Sequence, residues 1–146
     1  MLWHEVDLEA ATWSMAGKRT KNKHPHVVAL PSTAHALLKH RRADVPKDEP
    51  RVFPNLDLTS DGHKALSSLH GGQYEWTDLR RTVATRLAGL GFDETVIGRV
   101  LNHARYSVTG KHYNQHVYVA EIRQALTAWD EALQRILAAK PVGLPT

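Results

Sequence analysis

Residues 76–118 read WTDLRRTVATRLAGLGFDETVIGRVLNHARYSVTGKHYNQHVY. Leu79, Val83, Leu87 and Leu90 fall at i, i+4, i+8 and i+11, the spacing of a single apolar stripe on one helix. Thr77 or Asp78 suits the N-cap of that helix, and Gly91 suits the left-handed residue just past its end. Arg80 and Arg81 then lie in its first turn. Asp93 is placed to cap a second, short helix carrying Val96, Ile97, Val100 and Leu101, with His103 at its end.

Working outward, residues 119–139 place Val119, Ile122, Leu126, Trp129, Leu133 and Ile136 at spacings of three and four, which predicts a long helix with one buried face. The first thirty residues look like β structure. Trp3–Val6, Thr12–Ala16 and Val27–Leu30 are strand candidates, the last closed by Pro31. Between the second and third lies GKRTKNKHPH (residues 17–26), a turn-rich connection with Lys18, Lys21 and Lys23 at the tip. Ser32 or Thr33 can cap a helix over 34–42, DVPKDEPRVFPN (44–55) reads as a loop, and Asp61 can cap a helix over 62–69 stopped by Gly71 and Gly72. The predicted fold is α+β and mostly α, a small N-terminal antiparallel three-stranded β-meander followed by a helical bundle. One domain is expected over residues 1–140, with 141–146 a disordered tail.

Composition narrows the class. A chain of 146 residues can bury a core of its own. It has no cysteine, which removes disulfides and thiolate metal sites. No apolar run approaches the roughly 18 residues of a membrane-spanning helix, and the start, MLWHEVDLEA, lacks the basic and apolar regions of a secretory signal. The expectation is a cytoplasmic protein without a membrane partner. The net charge is only +4, but it is unevenly placed. Gly17–Lys47 holds eight Lys or Arg against one acid, Thr77–His116 six against three, and the last thirty residues balance to zero. Two basic regions and a neutral tail suit a polyanion-facing surface, or simply a solvated basic face.

Four residue types then suggest a chemistry. A phosphodiester under attack gathers negative charge on its nonbridging oxygens, and arginine's planar, permanently charged fork answers that charge. Arg80, near a helix N-terminus, is the candidate; Arg81, one residue round the helix, suits a structural ion pair. His103 can donate a hydrogen bond or a proton to the phosphate. Tyr113 offers a phenol as covalent nucleophile. Lys21 can deliver a proton to a leaving 5′ oxygen. Each also has an ordinary reading: a solvated arginine, a histidine on a helix dipole, a packed tyrosine, a lysine that only touches phosphate. Their order along the chain is what makes them a set. His112 and His116 at i, i+4 invite a zinc reading, but there is no accompanying HExxH glutamate and no third ligand unless His103 joins them. Neither metal nor other cofactor is expected.

In that order the motifs resemble the catalytic domain of the tyrosine recombinases, the phage integrase family. TDLRRTVATRLAGLG is similar to the family's H-x-L-R-R-T-x-A-T helix, VIGRVLNHA to its L-x-H segment, and TGKHYNQHVYVAEIRQALTAW to the segment holding the nucleophile and the helix after it. WHEVDLEAATWSM with RTKNKHPHVVALP resembles the β-meander, with Lys21 at the lysine of the TK motif. The resemblance runs from about Leu2 to Leu137. It implies site-specific recombination or integration of double-stranded DNA through a 3′-phosphotyrosine, with no ATP and no metal. Tyr113 is then the nucleophile, Arg80 a phosphate clamp, His103 a phosphate-binding proton donor and Lys21 a general acid, while Thr77, Lys18 and Lys23 bind DNA phosphate. Tyr118 is the competing tyrosine.

Two departures from the family pattern bear on activity. The family's first arginine lies just upstream of the strand that begins here near Trp3, so the sequence reads as the C-terminal catalytic part of a phage-type integrase. The HxxR histidine aligns with Thr77, which can bond a phosphate but cannot act as an acid–base near neutral pH. Loss of one electrostatic clamp commonly costs about 10²–10³-fold in rate. The alternative is therefore a non-catalytic, DNA-binding remnant. The resemblance also implies that the last helix, with Trp129, can dock on a second copy on DNA.

Overall fold

The computed structural model describes residues 1–54, 75–103 and 115–139. The first departure from expectation comes at its start. Trp3–Glu5 is a turn of 3₁₀ helix, and only Val6–Asp7 (β1) is strand. The Glu5 carboxylate accepts the Leu2 N–H at 3.1 Å and the Glu5 N–H donates to the Leu2 carbonyl, so a side chain closes a turn where Trp3–Val6 alone reads as extended. The Trp3 N–H meanwhile donates to Pro50 at 2.9 Å, pairing this end with the loop and not with the sheet.

The antiparallel three-stranded meander itself forms as expected. Thr12–Met15 (β2) pairs antiparallel with β1, Val6 opposite Trp13, and with His26–Ala29 (β3), Trp13 opposite Val28. Asp7 fixes the first turn by accepting the Glu9 and Ala10 N–H groups. Leu30, Leu38 and Val52 are buried together, with Met1, Trp3, Val6, Leu8, Ala11 and Trp13 packed on them.

Four helices follow among the described residues: α1 Ser32–Asp44, α2 Trp76–Gly89, α3 Glu94–Val100 and α4 Gln115–Ala138. Two N-caps differ from the local reading. Pro31 precedes α1, and Ser32 and Thr33 lie inside the helix. The Thr33 N–H is taken by Asp130 of α4 at 3.1 Å, a carboxylate only 8% exposed, so a distant residue supplies what Ser32 or Thr33 was expected to supply. Glu75, not Thr77 or Asp78, caps α2, and Asp78 serves as the N3 carboxylate that accepts the Glu75 N–H at 2.9 Å.

Other terminal signals hold. Asp93 accepts from the Thr95 and Val96 N–H groups and starts α3. Gly91 takes φ +90 after α2, and the Phe92 N–H reaches back to Leu87, the Schellman pattern. The apolar stripe of α2 is buried unevenly: Leu87 is fully enclosed, whereas Leu79 and Leu90 are 48% and 40% exposed. Helix α4 starts earlier than 119 and packs on α3, β3, α2 and α1, burying Ile122 and Ala125. Arg123 ties α4 to the sheet by donating to the Ala10 carbonyl at 2.9 Å. Among the described residues no helix is long and apolar enough to cross a membrane. The expected helix over 62–69 and the tail 141–146 lie outside the described residues.

Candidate DNA-phosphate site

The C-terminal end of α3 gathers three elements. Leu101 ends the helix, Asn102 turns with φ +52, and the His103 N–H returns to Gly98 at 2.7 Å. That second Schellman turn fixes the backbone of His103 and leaves the residue exposed. Arg80, exposed on α2, donates through Nη2 to the Leu101 carbonyl. Asn22, from the connection between β2 and β3, donates through Nδ2 to the Asn102 side-chain oxygen at 2.8 Å. Half-buried His26 on β3 faces the same helix end; burial pushes its imidazole below the usual range, and a hydrogen bond with the Val100 backbone offsets part of that. Arg80, the backbone of His103 and the Lys21 connection therefore meet around one turn.

That connection is pinned at its near end too. Gly17–Arg19 is a 3₁₀ turn, and a Cβ at Gly17 would lie 2.4 Å from the Lys23 carbonyl, which only glycine permits. The single Thr20 O–H lies between two carbonyls, 2.7 Å from that of His24 and 2.9 Å from that of Gly17, and is shared by them. Arg19 pairs with Glu5, which also accepts from the Trp13 indole at 3.3 Å. Lys18, Lys21 and Lys23 project exposed from this closed loop.

Glu5 thus joins the sheet to the loop. Burial pushes its carboxyl up, but the Leu2 N–H, the Trp13 indole and the Arg19 guanidinium outweigh it and hold the group below the ordinary 4.5. A carboxyl lowered by folding stabilises fully above its unfolded value, and the contribution fades as pH falls through the folded one. Glu5→Gln is expected to lower stability at pH 7 by about 2 kcal/mol. Its stability should also fall less steeply than wild type below pH 4.5. Urea melts from pH 7 to pH 3 check this; parallel pH curves would remove the charge from the account.

Other predicted positions are less simply placed. The exposed Thr77 hydroxyl donates to the Glu75 carboxylate at 3.3 Å, so it already has an acidic partner. Arg81 pairs with Asp78 at 3.3 Å, the structural ion pair expected of it. Tyr118 lies on α4 with the Arg99 guanidinium 3.8 Å above its ring, and Arg99 also pairs with Glu121. Tyr113, His112 and the His116 side chain lie outside the described residues. Among the described residues no group of three or more His, Cys, Asp or Glu is placed to hold a metal.

Sequence reading missed Asn22, Asn102 and Glu5. The one available signal was the asparagine just before His103, a residue type that tolerates the left-handed conformation Asn102 takes.

Residues 1–119 match the family model described as the phage integrase family. No curated protein and no solved structure matches the chain. The match spans most of the chain and takes in the sheet, the α2 arginines and the α3 turn. The chain belongs to the phage integrase family, and its general role is DNA recombination of the tyrosine-recombinase type.

Proposed function

We propose that this chain carries the strand-cleaving and rejoining chemistry of a site-specific phage-type integrase, acting on double-stranded DNA through a 3′-phosphotyrosine at Tyr113. The observation that carries the reading is the convergence on the α3 turn: Arg80 bonds Leu101 and Asn22 bonds Asn102, the two residues that lead into His103. In this reading Arg80 and His103 hold the nonbridging oxygens of the scissile phosphate. Thr77, Lys18 and Lys23 contact neighbouring phosphates. The Tyr113 oxygen forms the new bond to phosphorus and its proton passes to water. The bond to O5′ breaks, and Lys21 protonates that oxygen. A 5′-hydroxyl of a partner strand reverses the steps. The phosphotyrosyl link conserves the bond energy, so no cofactor is called for.

A nicked suicide duplex, which traps the covalent step, tests this. The expected result is a protein–DNA adduct whose digestion maps the DNA to the peptide containing Tyr113. DNA binding that weakens steeply with salt but yields no adduct would favour the second reading, a DNA-binding remnant. The Glu75 carboxylate on Thr77, at the position where the family carries a histidine, is the feature that supports it. Absence of salt-sensitive binding would overturn both.

A further inference from the structure

We infer that Asn22 and Asn102 are positioning residues, a side-chain clasp that locks the Lys21 loop onto the turn carrying His103. The inference rests on the recombinase reading for the role of Lys21, but the clasp is visible without it. Both ends of the Asn22 amide are used. Its oxygen accepts the His24 N–H at 3.1 Å inside the loop, and its nitrogen donates to Asn102 across 80 residues of sequence. A weaker approach to the Asn102 carbonyl at 3.4 Å points the same way. This pattern fixes which end of the amide is nitrogen.

Asn102 sits at φ +52, in the left-handed region where glycine is least strained and asparagine is the best-tolerated alternative. A glycine would end α3 equally well. What it lacks is the side-chain oxygen that accepts from Asn22 at 2.8 Å; only the weaker 3.4 Å approach to the backbone carbonyl would remain. The asparagine therefore has a second task, and the structure supplies its partner. Lys21 immediately precedes Asn22, and Arg19, two residues before it, is held by Glu5. Lys21 is thus carried between two anchors: one to the sheet, the other to the turn that presents His103. An exposed lysine on an unpinned loop would sample many positions; here the loop offers it at a set distance from His103.

The test uses the full chain with Asn22→Ala, Asn102→Gly and the double variant. Asn102→Gly keeps the left-handed turn, so it is the variant least prone to misfolding. In free protein, amide exchange at Thr20 and Lys23 is expected to speed up about five- to tenfold in each single variant, and no further in the double, because the Asn22–Asn102 contact is lost in all three; His24 should exchange faster still in Asn22→Ala, which also frees its own N–H. Exchange in α2 should stay as in wild type. Unchanged loop exchange, or additive effects, overturns the clasp.

The catalytic consequence is read by single-turnover adduct formation. On ordinary suicide DNA each single variant should be about tenfold slow. On DNA with sulfur in place of the scissile O5′, a thiolate leaves without needing a proton, and the variants should recover the wild-type rate, as Lys21→Ala should. A loss that persists on the sulfur substrate overturns the positioning role and points to general damage. If wild type forms no adduct on either DNA, the recombinase reading fails, and the exchange measurement still decides the clasp.

Discussion

Tyr113→Phe is expected to abolish the covalent DNA adduct, whereas Tyr118→Phe should form it within about threefold of the wild-type rate. The first loss is total because the phenol oxygen is itself the atom that becomes bonded to phosphorus; a benzyl ring offers no substitute. The second substitution removes an oxygen from a side chain already engaged in packing. Arg99 stacks on the Tyr118 ring and pairs with Glu121, one turn further along α4. Phenylalanine keeps the face on which the guanidinium rests. To act as the nucleophile, Tyr118 would have to leave that stack. Trapping on suicide DNA followed by denaturing gels separates the cases. An adduct that survives Tyr113→Phe and vanishes with Tyr118→Phe would reassign the nucleophile.

Arg80→Ala is the second large effect. Adduct formation should slow by about 10²–10³-fold, the usual cost of removing one preorganised donor from a developing oxyanion. Arg80→Lys should fall between, since it keeps the charge and loses the fork. Arg80 also secures the Leu101 carbonyl, so the variant could act by loosening the turn instead. Two readouts separate these. Loss of a phosphate contact lowers the slope of log affinity against log salt by about one. A loosened turn would instead raise exchange at the His103 amide, which is bonded to Gly98. A normal rate with Arg80→Ala would remove this arginine from the chemistry.

The features that were legible in the sequence share a short range. Asp93 caps α3 through N–H groups two and three residues away, and Gly91 ends α2 within its own last turn. Thr12–Met15 is strand because its residue types favour an extended chain between turn-forming neighbours. Where the local signal misled, another partner outcompeted it. Trp3–Val6 has strand composition, but the Glu5 side chain closes a turn on Leu2. Residues 32 and 33 are good capping types, but the helix already begins at Ser32 after Pro31, and Asp130 takes the free Thr33 N–H of its first turn. The apolar positions of α2 predict a buried stripe, and Leu87 alone is fully enclosed.

The sequence by itself determined the inventory: which residues are cationic, which can hold phosphate or move a proton, and in what order they come. It also determined the start of α3 and the end of α2, because each cap and the groups it satisfies lie within one turn of each other. Only the tertiary structure decided that α3's last turn is the meeting point. Arg80 reaches it from 21 residues upstream and Asn22 from 80. Nothing in a local pattern encodes a partner that far away. Such a bond exists only once α4 has packed against β3, α2 and α3 and the core has fixed how close those elements come.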